Sequence, residues 1–445
     1  MVKIQKQLST SQIIILGFAA VILLGSLLLM LPVSAADGQL TPFGDALFTA
    51  TSAVCVTGLI VRDTATYWPT FGQAVILVLI QIGGMGVVTV AVAIFSAAGN
   101  KISLKQRSTM QEVISAPQVG GIVRLTGFII RMTVIFELLG AAVMAPVFCG
   151  EFGIVKGLWY SVFHSISAFC NAGFDLMGVR EPYSSLTYFA AHPIINLAVM
   201  ALIVTGGIGF LVWDDIRTNK LRVRKYKMQS KVVLTVSGLL ILFPALYFFF
   251  FEFGQAPLGE RMGERIWNSL FQSVTTRTAG FNTADLTALS ETGIAIMVIL
   301  FLVGGSPGST AGGMKTTTLA VLFSTAVSVF RRKEHTHFFG RRLEEEAVRN
   351  AATILTMYLT LFLGGGFIIS RVEGLPLLTC LFETASAVGT VGLTLGVTPQ
   401  LGLLSRSILI VLMYLGRVGG LTLIFATISR QDNAARLPQE KLTVG

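Results

Sequence analysis

Two kinds of apolar segment alternate along the chain. Eight long segments approach or exceed the roughly 20 residues that a helix needs to cross a bilayer. They lie near residues 13–33, 71–98, 125–149, 192–213, 232–253, 292–329, 351–370 and 403–428. Four shorter, amphipathic segments lie near residues 43–54, 157–169, 264–275 and 376–387. The pattern predicts eight membrane spans and four re-entrant helices that enter the membrane without crossing it.

A glycine follows each short segment at a nearly constant interval. These glycines are Gly58, Gly173, Gly280 and Gly392, separated by 115, 107 and 112 residues. A glycine pair also recurs in the second long segment of each copy, as Gly83-Gly84, Gly206-Gly207, Gly304-Gly305 and Gly419-Gly420. We therefore expect an all-α integral membrane protein with four pseudo-symmetric repeats of span, re-entrant helix and span. The predicted repeats are residues 1–98, 99–227, 228–330 and 331–445, the last with a cytoplasmic tail.

The distribution of basic residues predicts the orientation in the membrane. Of the 33 Lys and Arg residues, 22 lie at the N-terminus, in 99–124, 214–231 and 330–350, and in the tail. Because cytoplasmic segments are enriched in Lys and Arg, both termini are predicted to be cytoplasmic and the glycine segments to open outward. The outer side then carries seven basic residues, Arg277 among them, and 13 acidic ones, Glu383 among them. Such an outer surface attracts cations.

Composition excludes several classes of protein. Only 13% of the residues are charged, against about 25% in soluble domains. The four cysteines show no zinc-site or disulfide spacing, and no H-E-x-x-H motif of a metalloenzyme is present. The net charge of +10 follows from topology rather than from nucleic-acid binding. Neither a cofactor nor enzymatic activity is expected.

The glycine segments carry the chemistry that the repeats predict. Irregular backbone inside a membrane must be buried in protein or line a watery cavity. Glycine permits a positive φ, so four such turns around one axis can direct carbonyl oxygens at a dehydrated monovalent cation. The alternative is that the glycines only relieve crowding in helix hairpins. The candidate filter residues are Val56, Thr57, Gly58, Asn171, Ala172, Gly173, Thr278, Ala279, Gly280, Thr390, Val391 and Gly392.

Over nearly its whole length the chain resembles the superfamily of Trk, Ktr and HKT cation transporters. The resemblance is carried by the four segments VTGL, NAGF, TAGF and TVGL, each between a short helix and a long span. Eight spans without extra N-terminal helices are most similar to the membrane subunits of the Ktr branch. Within the superfamily, glycine in all four filter segments accompanies potassium selectivity, and Gly58 stands where sodium-preferring members have serine. The resemblance implies potassium uptake across a bacterial plasma membrane.

The same resemblance implies partners that the residues alone do not indicate. It implies a homodimer of this subunit and a cytoplasmic ring of KtrA-like subunits that sense ATP and ADP. It also implies sodium dependence, with sodium as an activator and potassium as the transported ion. The basic cytoplasmic segments are expected to contact membrane lipids. A carrier that couples potassium to sodium or protons on the same fold remains the alternative.

The third repeat departs from the pattern within residues 304–318. A continuous helix through Gly-Gly-Ser-Pro-Gly-Ser has poor propensity, so we expect two half-helices joined by an intramembrane loop. A phosphate-binding loop and a kink that serves only helix packing are the alternatives to a mobile gate, which is the role that the resemblance implies. The candidate gate residues in the loop are Gly304, Gly305, Ser306, Pro307, Gly308, Ser309, Thr310, Ala311, Gly312, Gly313 and Lys315.

Arg417 is a second anomaly, because it is a charge within a predicted span. An arginine there costs at least about 2.5–3.5 kcal/mol and usually faces a cavity or a partner. We expect it to hydrogen-bond carbonyls of the loop and to oppose cations, with extension of its side chain to the cytoplasm as the alternative. Glu137 is expected to pair with Arg131 or a polar neighbour, and His164 to be a packed polar residue.

Overall fold

The computed structural model describes residues 9–97, 102–114, 121–254, 261–420 and 422. The cytoplasmic tail predicted at the end of the fourth repeat lies outside these residues. The described part is built from helices and one short hairpin. The helices are α1 Thr10–Met30, α2 Phe43–Val54, α3 Thr64–Tyr67, α4 Thr70–Met85, α5 Val87–Ala97, α6 Leu104–Ile114, α7 Ile122–Phe152, α8 Ile154–Phe169, α9 Pro193–Ile208, α10 Phe210–Asn219, α11 Met228–Tyr247, α12 Met262–Thr275, α13 Glu291–Phe301, α14 Thr316–Phe330, α15 Glu345–Glu373, α16 Leu377–Gly389 and α17 Leu403–Val418. The hairpin pairs β1 His337–Phe338 with β2 Arg341–Arg342.

Four helices of the described chain are long and apolar enough to cross a membrane: α1, α7, α15, and α11 with the π-helical turn that continues it to Glu252. They are the first long helices of the four predicted repeats. Two bent helix pairs, α4 with α5 and α9 with α10, would raise the number to six if each pair is one span. The chain is therefore a multi-pass membrane protein.

Short helices occur at the four predicted places, as α2, α8, α12 and α16. Each first long helix packs mainly against the short helix that follows it: α1 on α2, α7 on α8, α11 on α12 and α15 on α16. Contacts between copies run in one direction, α4 with α8, α9 with α12, α13 with α16 and α17 with α2. The last of these contacts joins the fourth copy to the first, so the short helices surround one centre.

The second long segments of the first two copies are not single straight helices, which corrects the expectation of continuous spans. The axes of α4 and α5 differ by 98°, and those of α9 and α10 by 93°. The bends lie at Gly86 and Gly209, whose φ angles are +86° and +101°. The fourth copy ends α17 in the same way, since Gly419 has a φ of +88°. Glycine alone adopts this backbone without strain.

These bends also correct the alignment of the fourth copy. A Cβ at Gly83, Gly206 or Gly416 would collide with the carbonyl oxygen four residues before the filter glycine of its own copy, which belongs to Val54, Phe169 or Val388. Gly416, rather than Gly419, therefore corresponds to Gly83. Gly419 corresponds to the hinge glycines, and Arg417 occupies the place of Gly84 and Gly207.

The third copy is interrupted as expected, over a slightly different range. Helix α13 ends at Phe301 and α14 begins at Thr316, so residues 316–318 are helical rather than part of the loop. Gly304 N–H donates to the carbonyl of Met314 at 2.7 Å, and Thr316 N–H to that of Gly305 at 3.1 Å. The two ends of the loop thus lie side by side, so the chain leaves one half-helix and returns to the start of the other at nearly the same place.

The hinge glycines provide a test of this fold. Gly209→Ala should lower the apparent melting temperature, because its φ is +101° and its Cβ would lie 2.6 Å from the carbonyl oxygen of Pro307. Strain of this kind costs about 1–3 kcal/mol. Gly238→Ala is the control, since Gly238 lies within α11 with no atom near its Cβ position. Thermal unfolding of the purified variants measures both effects, and equal melting temperatures for the two would contradict the assigned bend.

Candidate functional site

The four glycine segments share one unusual backbone conformation. The four candidate filter glycines have φ between +69° and +94°, and the residue two positions earlier is also left-handed. Those earlier residues are Val56, Asn171, Thr278 and Thr390, with φ of +56°, +60°, +61° and +52°. A β-branched residue at positive φ is a genuine outlier, and three of the four are valine or threonine. Backbone strain of this kind is concentrated at functional sites.

The four glycines lie side by side, and each faces a carbonyl of the neighbouring segment. A Cβ on any of them would lie within 2.8 Å of the carbonyl oxygen that precedes the neighbour's glycine. The pairs are Gly58 with Ala172, Gly173 with Ala279, Gly280 with Val391 and Gly392 with Thr57. The last pair closes the circle. We call this arrangement the glycine ring, and only glycine fits at its four positions.

Hydroxyl groups on the short helices hold the ring in place. In the first and fourth copies a serine Oγ accepts from the glycine N–H at 3.0 Å, Ser52 from Gly58 and Ser386 from Gly392. In the second and third copies a hydroxyl donates to the carbonyl after the glycine, Ser167 to Phe174 at 2.7 Å and Thr275 to Phe281 at 2.5 Å. All four short helices therefore fix the segments through side chains near their C-terminal ends.

A polar contact also stabilises the turn outside each segment, and its chemistry differs between copies. In the first copy, Asp45 on α2 accepts from Arg62 at 2.8 Å and from Arg406 of α17 at 2.9 Å. This second ion pair ties the fourth copy to the first. In the third copy, the Thr283 hydroxyl donates to the amide oxygen of Asn268 on α12 at 2.7 Å.

His164 and Glu383 play the same part in the second and fourth copies. His164 Nε2 accepts from the N–H of Leu176 at 3.2 Å, which confirms it as a packed polar residue. Glu383 Oε1 accepts from the N–H of Leu395 at 2.9 Å. Both side chains lie nine residues before the glycine, and both acceptors bind the N–H three residues after it. Aligning the four copies on their glycines places His164 and Glu383 at the same position, so the sequence could have indicated their common role.

Two charges that were expected on the outer surface are buried instead. Glu383 is fully buried, and its other contacts are the hydroxyls of Thr394 at 2.7 Å and Thr398 at 2.5 Å. Arg277, just before the third glycine segment, is 5% exposed and donates to the Ser237 hydroxyl of α11 at 3.1 Å. The prediction that these two charges lie on the outer surface was therefore wrong. It assumed that residues in or next to a short helix are exposed to water.

A cavity of about 340 Å³ opens on one side of the glycine ring, and all four glycines line it. Asp175, in the loop beyond Gly173, also lines this cavity and accepts from the N–H of Met177 at 2.9 Å. Burial raises the pKa of the Asp175 carboxyl to about 7, and the negative charge of Asp63 contributes in the same direction. The group therefore titrates at the ring's opening in the neutral pH range.

The loop of the third copy lies on the other side of the ring. Its backbone hydrogen-bonds to the second copy, where Ser306 N–H donates to the carbonyl of Gly207 at 2.9 Å and Thr310 N–H to that of Gly206 at 3.3 Å. The Thr310 hydroxyl lies 2.9 Å from the amide oxygen of Asn171 in the second glycine segment. A Cβ at Gly312 would collide with the Thr390 hydroxyl of the fourth segment. The loop therefore packs directly beneath the ring.

Arg417 makes the contact with the loop that was expected of it. Its guanidinium donates to the carbonyl of Thr310 and to the carbonyls of Gly83 and Gly84, the last at 3.1 Å. One side chain of the fourth copy thus joins the loop of the third to α4 of the first. Lys315 bonds within the loop instead, with its Nζ 2.8 Å from the carbonyl of Ala311.

Below the loop is a cavity of about 250 Å³ that is lined by Arg417, Lys315 and Glu112 of α6. The described chain therefore contains a cavity at the ring, the ring, the loop and a second cavity in that order. Glu137 lies outside this series. It pairs with Gln81 behind the second glycine segment, which selects the polar neighbour over Arg131.

Comparison with known proteins supports one family for this arrangement. The model of the TrkH family, described as a cation transport protein, matches residues 4–437. The potassium/sodium uptake protein NtpJ of Enterococcus hirae is 39% identical, covering 100% of this chain and 99% of NtpJ. The Ktr system potassium uptake protein B of Bacillus subtilis is 37% identical, with 98% and 96% covered.

The fold has a solved counterpart as well. The crystal structure of the potassium transporter TrkH from Vibrio parahaemolyticus superposes with a TM-score of 0.74 at 20% identity, and covers 96% of this chain and 86% of the other. That likeness establishes a shared fold. Together with the match of the family model along almost the whole sequence, it shows that the chain belongs to the TrkH family of cation transport proteins.

Proposed function

We propose that this protein takes up potassium through a central pathway in which the glycine ring is the selectivity filter. The observation that carries the proposal is the closed set of contacts between each filter glycine and the carbonyl of the next segment. The relative from Bacillus subtilis is named as a potassium uptake protein and the relative from Enterococcus hirae as a potassium/sodium uptake protein, and both names include potassium.

The filter binds the cation through backbone oxygens. Left-handed residues alternate with ordinary ones in each segment, and this alternation directs successive carbonyls to the same side, as potassium filters require. The short helices end at the ring, so the negative ends of their dipoles face the ion. No carboxylate is needed at the ring, which suits a monovalent cation that gives up its water for carbonyls.

The loop 302–315 and Arg417 are the gate. The loop occupies the path between the ring and the cavity below it, and the N–H groups of Ser306, Thr310 and Gly313 donate to backbone carbonyls of the second and fourth copies. Such bonds can be exchanged for others without leaving a charged group buried. The Arg417 guanidinium adds a positive charge below the ring that repels cations while the loop is in place.

The surrounding architecture follows from the same proposal. The four copies are arranged pseudo-symmetrically about the ring and provide eight spans, with both termini in the cytoplasm and the ring opening outward. The subunit works as a homodimer under a KtrA-like ring that senses ATP and ADP, and sodium acts as an activator. Support for these points comes from the order of the helices and from the relatives that belong to Ktr systems.

A carrier coupled to sodium or protons is the second candidate, and one observation favours it. Glu137 is a buried carboxyl within α7, 4.0 Å from the sulfur of Cys170 next to the second glycine segment. A proton on this group could follow the state of the filter. Potassium flux that requires a proton gradient, and loses that requirement in Glu137→Gln, would favour the carrier.

The filter assignment is tested by Gly58→Ser. Its Cβ would lie 2.6 Å from the carbonyl oxygen of Ala172, so the oxygens of the ring must move apart and their fit to potassium is lost. We expect sodium flux into proteoliposomes to rise at least about tenfold relative to rubidium flux, because each 1.4 kcal/mol of lost discrimination is a factor of ten.

Gly38→Ser is the matched control for this variant. Gly38 also has a positive φ, of +67°, but has nothing near its Cβ position. It should keep the rubidium preference of the wild type. An unchanged ratio of sodium to rubidium flux in Gly58→Ser would exclude the ring as the filter.

The gate is tested by Arg417→Gln. Loss of the guanidinium frees the carbonyl of Thr310 and removes a charge close to the pathway, so rubidium flux should rise about tenfold. Arg371→Gln, at an exposed arginine in the last turn of α15, should behave as wild type.

Deletion of residues 305–312 should also raise rubidium flux. A variant that combines the deletion with Arg417→Gln should have little more flux than either single change, because both changes act on one element. Unchanged flux in Arg417→Gln would remove it from the gate.

Asp175 makes uptake depend on pH. Since its pKa is about 7, the carboxyl is mostly neutral at pH 6 and mostly charged at pH 8. One added charge in the cavity that opens on the ring should lower the KM for rubidium about two- to threefold over that range. Asp175→Asn should show a high KM at both pH values, whereas Asp285→Asn, in the same cavity, should keep the pH dependence. A pH-dependent KM in Asp175→Asn would show that another group is responsible.

A further inference from the structure

A basic groove lies between the start of α7 and α10, and its lining residues differ from those of the two cavities beside the ring and the loop. Its volume is about 920 Å³, and its lining includes Arg124, Arg131, Arg217 and Lys227. Asp214 is the one carboxylate among its lining residues. All four basic side chains are exposed, and none of them makes an ion pair within the described chain. The groove thus collects positive charge that the protein does not neutralise.

Basic and apolar side chains lie together on the face of α7 that lines the groove. Arg124, Phe128 and Arg131 stand at positions i, i+4 and i+7, so they share one face of the helix. The Arg217 guanidinium lies over the Phe128 ring, 5.3 Å from its centroid. Apolar Leu125 and Leu211 complete the lining. The groove therefore offers cationic groups around an apolar floor, which suits an amphiphile better than a free ion.

The length of α7 places this groove at the membrane surface. The helix has 31 residues and is about 46 Å long at 1.5 Å per residue, whereas the hydrocarbon core is about 30 Å thick. About ten residues can therefore project beyond the core. Arg124 and Arg131 are the third and tenth residues of the helix and span about 10 Å along its axis. That interval corresponds to the layer of lipid head groups.

From these observations we infer that the groove binds the phosphate of an anionic phospholipid. The guanidinium groups of Arg124, Arg131 and Arg217 pair with the phosphate oxygens, and Phe128, Leu125 and Leu211 contact the glycerol and the first acyl carbons. Basic pockets between transmembrane helices on the cytoplasmic side bind such head groups. This side of the molecule follows from the orientation in the proposed function, but lipid binding itself is measured without transport.

The site is connected to the intramembrane loop. Helix α10 begins directly after the hinge at Gly209, and Phe210 N–H donates to the carbonyl of Gly308 at 2.7 Å. A lipid that joins α10 to α7 therefore restricts the element that holds this part of the loop. The groove lies on the same rigid helix as a contact of the loop, although it is remote from the ring.

The experiment measures lipid binding to the purified full chain by native mass spectrometry and by the shift of melting temperature. The probes are phosphatidylglycerol, phosphatidylcholine and glycerol phosphate. Wild type should retain phosphatidylglycerol selectively and be stabilised by it. The triple variant Arg124→Gln, Arg131→Gln, Arg217→Gln should bind it at least about tenfold more weakly. The control triple Lys156→Gln, Arg261→Gln, Arg371→Gln removes equal charge from exposed positions outside the basic cytoplasmic segments and should bind as wild type.

Several outcomes would overturn the inference. Equal retention of phosphatidylcholine would indicate unspecific annular lipid, and undiminished binding by the groove variant would place the site elsewhere. Equal affinity for glycerol phosphate would assign the site to a soluble phosphate compound, and no binding by wild type would leave the groove to a protein partner. If the triple variant does not fold, Arg131→Gln against Arg131→Lys gives the same comparison, since lysine keeps the charge. Rubidium flux of the same variants separates a failure here from a failure of the proposed transport.

Discussion

The close approach of each glycine of the ring to a carbonyl of the neighbouring segment is the contact on which the rest of this structure depends. A carbonyl oxygen lies 2.8 Å or less from the Cβ position of each of these glycines. That distance leaves room for the hydrogen of glycine and for no larger side chain. The contact fixes how near the four segments come to one another, and hence the size of the opening between them. It also requires a positive φ at four places, and the short helices supply the hydroxyl groups that keep the backbone there.

The strain stored at the ring explains why the turns outside it are so well supported. Val56, Thr278 and Thr390 occupy a region of φ that β-branched residues avoid. A polar contact holds the outer turn in every copy, through Asp45, His164, Asn268 or Glu383 on the short helix. These four residues have the same role although they are of different types. Any side chain of suitable length that accepts a hydrogen bond can hold the turn. The copies could therefore diverge in sequence until little more than the glycine remained common.

This divergence determined what the sequence could predict. The family, the four short helices, the interrupted third copy and the contact of Arg417 with the loop all follow from the recurrence of glycine and from residues that break an apolar run. The bends at Gly86 and Gly209 could not be predicted in this way. A single glycine within an apolar helix is common, and its φ depends on neighbours from other copies. The pairing of Gly419 with Gly83 was wrong for a related reason: glycine pairs were matched by composition, whereas contact with the end of the short helix selects Gly416. Burial of Glu383 and Arg277 depends on packing that charge counting ignores.

The corrected alignment gives Arg417 a clearer meaning. It stands at the position that Gly84 and Gly207 occupy in the first two copies, one residue after the glycine that contacts the end of the short helix. Glycine there carries no side chain, whereas the arginine reaches the carbonyls of α4 in the neighbouring first copy. A symmetric assembly of four identical chains would place four such guanidinium groups together, and their mutual repulsion would be severe in a confined site. One chain with four unlike copies can carry a single arginine and a single loop beneath a ring that remains regular.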